Sequence, residues 1–332
     1  MKTAVLFSNV TDHSPADDLD VLAQVEAVSR SLANLGHEPF SIPMSLDLES
    51  ARQSLLRTKP HFVFNLVESL NGMGRFIHFA PALLDQLHLP YSGSPTHALY
   101  LSTDKVRSKS LLLTADLPTP PWLSSADGAC RNPDFPPPWF VKPVWEDASV
   151  GIDESSLVNE IERLAEVLKA KVRDYGDCLV EAYIAGREFN LSLLAGDTGP
   201  EVLPAAEMVF RDYPPDKPTI VGYAAKWHED SFEYQNTARR FDFRPADAAL
   251  LQRMKDIALS CWRLFQLRGY ARVDFRVDER GPWVLEVNAN PCISPDSGFV
   301  AAAERAGLDY NQMINRIIKD TLGNHVPHPS NP

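Results

Sequence analysis

The segment "VLEVNANP" at residues 284–291 places three polar side chains in a strand that is otherwise apolar. Glu286, Asn288 and Asn290 occupy alternate positions. Because successive side chains of a strand point to opposite faces, the three should share one face. A carboxylate flanked by Val and Leu needs a cation or a hydrogen-bonding partner. The sequence therefore predicts a polar site at the end of this strand.

The preceding strand, "ARVDFRV", supplies a second carboxylate. If the two strands are joined by a three-residue loop at 279–281, with glycine in the left-handed position, Asp274 lies opposite Glu286 and Arg272 lies opposite Asn288. A four-residue loop would shift the register by one residue and put the two acids on opposite faces. The loop length therefore decides whether the carboxylates meet.

Two like charges opposed on adjacent strands are destabilising by up to about 1 kcal/mol. A divalent cation between them reverses that sign, and Mg²⁺ prefers carboxylate and carbonyl oxygens together with substrate phosphates. Asp274, Glu286 and Asn288 are thus candidate ligands of a magnesium–nucleotide site. The alternative is a solvated strand face, since exposed acids are common.

A lysine inside an apolar strand precedes a small-residue turn in "WFVKPVWEDASVGI". Lys142 could neutralise a nucleotide phosphate while the turn at Ala148, Ser149, Val150 and Gly151 donates backbone N–H groups. With one glycine, the turn matches neither the P-loop nor the dinucleotide fingerprint. Taken alone, the motif fits a solvated lysine better.

In "CLVEAYIAGREFNLSLL" two strands flank a short glycine-containing link, with Glu181 and Glu188 on either side. Backbone groups at the strand edge could bind an adenine, and a carboxylate could accept hydrogen bonds from ribose hydroxyls. The alternative, a β-hairpin with surface acids, is the better interpretation of this segment alone.

The composition narrows the class of protein. The chain has 332 residues, a formal net charge of −12 and 44% hydrophobic residues, which is typical of a soluble protein of two or three domains. The acidic charge argues against a nucleic-acid partner. No apolar run is long enough for a membrane span or a signal peptide, and the four cysteines are far apart in the sequence. We therefore expect a cytoplasmic protein with free thiols and no membrane partner.

The segments between these motifs predict the elements that position them. Strands "TAVLFS", "EPFSIP", "HFVFNLV" and "LPYSGS" alternate with helical segments, the last of them "GRFIHFAPALLDQLH", and this order predicts a parallel sheet covered by helices. A Pro-rich stretch then marks a domain boundary near residue 105. Strands "WFVKPV", "DCLVEAYI" and "EFNLSLLA" surround one helix, and "VFRDYPPDKPTIVGYAAKWHEDS" should be a long loop.

In this order the motifs resemble the ATP-grasp superfamily, and most closely the D-alanine:D-alanine ligases, over about residues 60–320. The segments that carry the resemblance are "LPYSGSPTHALYLSTDK", "FVKPVWEDASVGI", "LVEAYIAGREFNLSLL", "GYAAKW", "ARVDFRV" and "VLEVNANP". The implied fold class is α/β, becoming α+β in the later domains. The expected parts are an N-terminal Rossmann-like βαβ domain, a small central α+β domain, a C-terminal α+β domain and a tail, at 1–104, 105–190, 191–325 and 326–332.

The resemblance also implies the cofactors ATP and Mg²⁺ (or Mn²⁺) and assigns residue roles. The implied nucleotide-binding residues are Lys105, Lys142, Ser149, Val150, Gly151, Glu181, Tyr183, Ile184, Glu188 and Lys226. The implied catalytic residues are Arg272, Ser149 and Lys226, beside the magnesium ligands Asp274, Glu286 and Asn288. The expected substrate-binding residues are Arg272, Asn290, Ser297 and Glu68.

The implied reaction joins two small molecules, a carboxylate and an amine, such as amino acids or a dipeptide. The carboxylate attacks the γ-phosphate of ATP to give an acylphosphate, and the amine then displaces phosphate to form an amide. Related ligases are commonly dimers, so a homodimer is expected. Two alternatives are a phosphotransferase that stops after the first step and a nucleotide-binding module without ligase activity.

The substrate end departs from the family pattern. The glycine-rich turn whose glutamate holds the first D-alanine's ammonium is replaced by "SNVTDHSPADDLD", where Asp17 or Asp18 is a candidate substitute. The segment "ESLNGMGRF" introduces Glu68 and Arg75 as new charges. Trp227 stands where the ligases have a tyrosine, so its hydroxyl is missing from their serine–glutamate network. We therefore expect substrates other than two D-alanines.

Overall fold

The structure is a computed structural model that describes residues 1–127 and 133–324. Cys130 and the predicted tail at 326–332 lie outside these ranges. Of the cysteines within them, Cys261 and Cys292 are free thiols, as predicted, and Cys178 is buried. In the part of the chain that is described, no helix is both long and apolar enough to cross a membrane.

The N-terminal region contains the predicted parallel sheet. Strands β1 (Lys2–Ser8), β2 (Glu38–Met44) and β3 (Phe62–Leu66) pair in the order β2-β1-β3. Helices α1 (Ala16–Asn34), α2 (Leu48–Thr58) and α3 (Phe79–Gln86) accompany it. Apolar side chains of the strands, such as Leu6 and Val63, form the core with these helices. The parallel pairing, which the alternation of strands and helices predicts, is confirmed.

Two local predictions in this region are wrong. The segment "LPYSGS" is not a strand and makes an isolated bridge, between Tyr91 and Val63. The predicted helix "GRFIHFAPALLDQLH" is divided into a short 3₁₀ turn at Gly74–Phe76 and α3. The backbone N–H of Met73 bonds Leu70, so the chain turns back on itself just before this segment.

A four-stranded antiparallel sheet follows two helices, α4 (Thr96–Thr103) and α5 (Lys105–Thr114). Its strands β4 (Trp122–Ser124), β5 (Trp139–Pro143), β6 (Leu157–Val158) and β7 (Cys178–Ala182) pair in the order β4-β7-β5-β6. The amphipathic helix α6 (Ile161–Tyr175) covers one face through Leu164. It begins later than its sequence pattern predicts because residues 157–158 join the sheet.

The third sheet is antiparallel and runs in the order β11-β10-β8-β12-β13, with β9 beside β8. Its strands are β8 (Arg187–Leu194), β9 (Glu201–Val202), β10 (Ala206–Phe210), β11 (Thr237–Arg240), β12 (Tyr270–Asp278) and β13 (Gly281–Asn288). Helix α9 (Ala248–Leu264) packs Met254 and Ala258 against Phe275 and the other apolar side chains of one face. The opposite face carries polar residues, among them Glu188, Asp274 and Glu286.

The remaining helices surround this sheet. Helices α10 (Gly298–Arg305) and α11 (Tyr310–Asn324) follow the last strand. The predicted long loop contains two short helices, α7 (Tyr223–Trp227) and α8 (Phe232–Asn236), so that prediction is wrong in part. The strand "EFNLSLLA", expected beside β5 and β7, pairs instead with β12. The domain boundaries stay predictions, and the one at 190/191 falls inside β8.

The hairpin of β12 and β13 reaches the predicted register by an unexpected route. Asp278 pairs with Gly281, so the loop has two residues and the predicted three-residue loop is wrong. A β-bulge at Leu285 then adds one residue to β13, which shifts the register back by one. Asp274 therefore pairs with Glu286, as predicted. The two differences cancel, and both acids lie on the same face.

Gly186, in the link between β7 and β8, packs closely against the backbone of β12. Its φ is +136°, and a Cβ there would lie 2.1 Å from the carbonyl oxygen of Val277. Gly199 has a similar φ of +122° with nothing within 4 Å of a Cβ. We expect Gly186→Ala to lower the free energy of unfolding by about 2 kcal/mol more than Gly199→Ala, measured by urea denaturation. Equal losses would show that the strained φ alone matters.

Candidate active site

A cavity of about 1360 Å³ opens between the three sheets. All but one of the predicted site residues line it, although they come from widely separated segments. These lining residues are Glu68, Lys142, Ser149, Val150, Gly151, Glu181, Tyr183, Ile184, Glu188, Lys226, Arg272, Asp274, Glu286, Asn288, Asn290 and Ser297. The tertiary structure therefore brings the predicted nucleotide, metal and substrate residues to one site.

Lys105 is the exception, because it lies behind the cavity wall. Its side chain is 3% exposed, and its ammonium donates to the carbonyl oxygen of Glu146 and lies 3.1 Å from the Asp147 carboxylate. These two contacts hold the start of the turn at residues 147–152 in place. Direct contact of Lys105 with ATP stays a prediction.

Two lysines and one carboxylate form a second buried group of charges. Lys142 on β5 and Lys109 on α5 each place their ammonium 2.7 Å from the Glu181 carboxylate. Burial alone would raise the pKa of Glu181, but the two ammonium groups hold it below its ordinary value. Burial lowers the pKa of Lys109 to about 8. The alternative of a solvated Lys142 is therefore wrong, since this side chain is buried and paired.

Sequence reasoning missed Lys109. The available signal is its position one helical turn after Lys105 in "DKVRSKS", which places both lysines on the same side of α5. Nothing in the local sequence identifies the partner of Lys109, because Glu181 lies 72 residues further on. The contact becomes visible only when β7 pairs with β5.

The turn at residues 147–152 has a strained backbone. Ala148 and Ser149 have φ values of +53° and +65°, a region that residues with a Cβ rarely occupy, and Gly151 follows at +72°. Strain of this kind persists where surrounding contacts enforce it, and it clusters at ligand-binding turns. The hydroxyl of Ser149 donates to the carbonyl oxygen of Val221 at 2.8 Å, so the strained turn is tied to a second segment.

That second segment, residues 220–228, lies over the cavity and is called the lid here. The backbone N–H of Tyr223 donates to the carbonyl oxygen of Ile152 at 2.9 Å, and the indole N–H of Trp227 donates to that of Ala148 at 3.0 Å. The lid is thus hydrogen-bonded to the strained turn along its length. Lys226 lies between these contacts and lines the cavity.

Trp227 and Tyr223 tie the lid to two different parts of the chain. Trp227 bonds a backbone carbonyl, whereas the hydroxyl of Tyr223 donates to Asp17 at 2.7 Å. Asp17 lies in the first turn of α1, so this contact links the lid to the N-terminal region. The sequence offered no signal for Tyr223, since 206 residues separate it from its partner.

Glu188 is held by an arginine that sequence reasoning also missed. Arg276 on β12 is 4% exposed and lies 2.8 Å from the Glu188 carboxylate. It also lies over the ring of Tyr183, 5.3 Å from the centroid. Burial raises the pKa of Glu188 despite this cation. The alternative of surface acids in this hairpin is wrong for Glu181 and Glu188, because both are buried.

The two opposed carboxylates lie at the centre of the site. Arg272 binds Asp274 through two hydrogen bonds of 2.8 Å, and Asn190 donates to Asp274 at 2.7 Å. The amide nitrogen of Asn288 lies 3.3 Å from both Asp274 and Glu286. Hydrogen bonds thus connect the polar side chains that the register of β12 and β13 places next to one another.

The two opposed acids have different environments. Burial would raise the pKa of Glu286, but the positive charges of three lysines and Arg272 hold it well below its ordinary value. The lysines are Lys105, Lys142 and Lys226. Burial raises the pKa of Asp274 despite its pairing with Arg272, and the charge of Glu286 adds to that effect, so part of the expected repulsion between the two acids persists.

The donor set fits a hard divalent cation. Two carboxylates and one amide, all bearing oxygen, share one face at the cavity wall, which matches the preference of Mg²⁺. Within residues 1–127 and 133–324, no three His, Cys, Asp or Glu side chains cluster as a metal site. The predicted set has two acids, and its third ligand, Asn288, is an amide, so further coordination would have to come from phosphates or water.

The substrate end of the cavity is acidic. Glu68 accepts a hydrogen bond from Gln24 at 2.9 Å, and Asp18 accepts one from Ser69 at 2.9 Å. Burial raises the pKa of Glu68 to about 8, and the neighbouring carboxylates of Asp20 and Asp18 add to that effect. These acids could receive a cationic group of a substrate.

Asn290 and Ser297 make different hydrogen bonds. The amide of Asn290 is bonded at both ends, by the Tyr270 hydroxyl at 2.8 Å and to the carbonyl oxygen of Val67 at 3.1 Å. Ser297 is the N-cap of α10 and accepts from the N–H of Val300 at 3.3 Å. Both line the cavity, and Ser297 lies where the free N–H groups of a helix start favour an anion.

Comparison with known proteins agrees with this arrangement. The family model described as "D-ala D-ala ligase C-terminus" matches residues 124–319. An uncharacterized protein of Sinorhizobium fredii, y4sG, is 34% identical over 88% of this chain and 85% of its own length. A "D-alanine--D-alanine ligase" of Gloeobacter violaceus is 32% identical over 91% of this chain and 94% of its own length.

The fold is also that of a solved structure. A crystal structure of D-alanine–D-alanine ligase from Bacillus anthracis, complexed with ATP, superposes with a TM-score of 0.74 and covers 98% of both chains at 21% identity. At this identity the likeness shows the fold alone, and it confirms the predicted α/β architecture.

Titration of Glu68 should make stability depend on pH. Its pKa is raised to about 8, so the folded state keeps a proton that the unfolded state has lost between about pH 5 and pH 8, and stability falls as pH rises. Glu68→Gln removes this titration. We expect the free energy of unfolding of the variant, relative to wild type, to increase across this range in urea denaturation. A difference that stays constant with pH would contradict the burial of Glu68.

The Tyr223–Asp17 hydrogen bond should stabilise the closed lid. We expect Tyr223→Phe to increase amide hydrogen exchange in residues 220–228, because one anchor of the lid is lost. Asp17→Asn should have a similar effect. Since both changes remove the same contact, the double variant should exceed neither single variant by much. Additive effects in the double variant would show that the two residues act independently.

Proposed function

Because the chain belongs to the D-alanine:D-alanine ligase family, we propose that it is an ATP-dependent ligase that joins a carboxylate to an amine in the cavity described above. One observation supports this most strongly. A single cavity wall combines the cations Lys142 and Lys226 with the opposed acids Asp274 and Glu286. Cations beside oxygen ligands are what transfer of a phosphoryl group requires.

The nucleotide would lie between the central sheet and the third sheet. Tyr183 and Ile184, in the link between β7 and β8, would contact the adenine, and Glu188 would accept hydrogen bonds from the ribose hydroxyls. The turn at residues 147–152 would cover the phosphates with its backbone N–H groups. Lys142 would hold a phosphate oxygen, and its buried pairing with Glu181 fixes its position.

The metal ligands would be Asp274, Glu286 and Asn288. A bound Mg²⁺ (or Mn²⁺) supplies charge neutralisation and orientation of the phosphates. The residues of the chain supply the rest: Lys226 places a positive charge beside the transferred group, and the lid that carries it excludes water from the cavity.

The reaction proceeds in two steps. A carboxylate oxygen of the first substrate attacks the γ-phosphorus of ATP, the bond to the β-phosphate oxygen breaks, and ADP leaves with the bonding electrons. The amine nitrogen of the second substrate then attacks the acyl carbon. Phosphate leaves, the nitrogen loses a proton, and an amide remains. Arg272, fixed by Asp274, places its charge where negative charge builds up in both steps.

The substrates are proposed to be amino acids or a dipeptide, other than two D-alanines. The observation behind this is the rebuilt acidic end of the cavity, where Glu68 and Asp18 take the place of the family's ammonium-binding glutamate. The proposed cytoplasmic location rests on the short apolar runs and the widely spaced cysteines of the sequence, and the proposed homodimer rests on the family resemblance.

The activity is tested by incubating the protein with ATP, Mg²⁺ and panels of D-amino acids, L-amino acids and dipeptides. ADP release should accompany an amide product that is visible by mass spectrometry. Phosphorylated substrate without amide would favour a phosphotransferase instead. Robust turnover on D-alanine alone would contradict the proposed change of substrate.

Removal of either acid should abolish turnover while the chain still folds. We expect Asp274→Asn and Glu286→Gln each to lower kcat by about 100-fold or more, because phosphoryl transfer loses a placed charge. Asp278→Asn is the matched control, since it makes the same change four residues further along β12, outside the cavity lining. Circular dichroism checks the fold. Unchanged activity of both acid variants would overturn the metal site.

A further inference from the structure

Three arginines among the described residues line the cavity, and one of them lacks a counter-ion. Arg272 is paired with Asp274 and Arg276 with Glu188, each at 2.8 Å. No carboxylate of the described chain lies within ion-pair distance of Arg239. A cation on the cavity wall that has no carboxylate partner among the described residues is available for an anionic ligand.

The sheet places Arg239 on the cavity face. It lies on β11 opposite Met208, which pairs in turn with Glu188, and all three line the cavity. Its neighbour Arg240 lies opposite Glu207 and binds that carboxylate on the other face of the sheet. The alternation of the strand thus gives two adjacent arginines different environments.

The guanidinium of Arg239 is held at the start of α10. It donates to the carbonyl oxygen of Asp296 at 2.9 Å, and its Nε lies 3.4 Å from the position of a Cβ on Gly298. Ser297 lies between these two residues. Partial burial of the guanidinium and the positive charge of Arg272 lower the pKa of Arg239, although the residue as a whole remains exposed. The positive charge is therefore close to Arg272 and still open to the cavity.

Arg272 has fewer free donors for a substrate carboxylate than Arg239. One edge of its guanidinium, formed by Nε and Nη2, is bonded to Asp274, so that acid already offsets part of its charge. Arg239 keeps free N–H donors beside Ser297, and a planar guanidinium matches the geometry of a carboxylate. The unpaired cation and the helix start together suit one anionic group.

We propose that Arg239 is a specificity-determining residue that binds the carboxylate of the amine substrate at the start of α10. The inference rests on the ligase function proposed above and narrows its substrate class. The amine substrate is an amino acid or peptide with a free carboxylate close to its nucleophilic nitrogen. Amines without that negative charge are poor substrates.

The experiment compares an amino acid with its amide in three variants and the wild type. The probes are D-alanine and D-alaninamide, and L-alanine and L-alaninamide, each offered as amine substrate with ATP, Mg²⁺ and the carboxylate substrate that gives the highest turnover in the activity panel. Arg239→Gln removes the charge and Arg239→Lys retains it. Arg240→Gln is the matched control, because it removes the same charge from the adjacent residue on the opposite face of the sheet.

Wild type should prefer the acid to the amide. In Arg239→Gln the KM for the amino acid should rise about 10- to 100-fold, whereas the KM for ATP and the KM for the amide stay unchanged. Arg239→Lys should recover part of the loss, and Arg240→Gln should match wild type. An equal effect of Arg239→Gln and Arg240→Gln, or a rise confined to the KM for ATP, would overturn the proposal.

Binding measurements separate this proposal from the proposed function. If wild type releases no ADP with any amine, the ligase function fails. Calorimetric titration of D-alanine and L-alanine into the protein with a non-hydrolysable ATP analogue and Mg²⁺ then decides the role of Arg239. Weaker binding in Arg239→Gln than in Arg240→Gln supports that role, and equal binding in the two variants rejects it.

Discussion

Asp274 and Glu286 face each other across two paired strands inside the protein, and a buried carboxylate is stable as an anion only when cations surround it. The cations that act on Glu286 include Lys105, Lys142 and Lys226, which come from α5, β5 and the lid. Since these elements belong to separate parts of the chain, full charge compensation of Glu286 depends on their packing together. Charge compensation at Glu286 therefore couples the fold of the sheets to the position of the lid.

Several hydrogen bonds hold the lid and the strained turn together. The strained backbone at Ala148 and Ser149 is held by hydrogen bonds from the lid, and the lid is anchored by Tyr223 to Asp17. The indole of Trp227 donates to a carbonyl of the turn but cannot also accept a hydrogen bond, whereas the hydroxyl of Tyr223 reaches the N-terminal region.

The two ends of the cavity carry different polar groups. Glu68 and Asp18 lie at the N-terminal end, where burial raises the pKa of Glu68 to about 8, whereas Arg239 lies at the start of α10. Under the proposed function, a substrate with both an ammonium and a carboxylate would place its ammonium beside the acids and its carboxylate beside Arg239, and repulsion would disfavour the reversed orientation.

The sequence by itself determined the parallel sheet and the residues of the acid pair, because alternation and residue type are local properties. Tertiary structure decided the rest. Lys109 and Arg239 owe their significance to partners, or to the absence of a partner, on segments distant in the chain. The pairing of Asp274 with Glu286 arose from a short loop whose offset the bulge at Leu285 cancels. Which backbone hydrogen bonds a strand finally makes depends on packing across the whole sheet, and no local pattern records that balance.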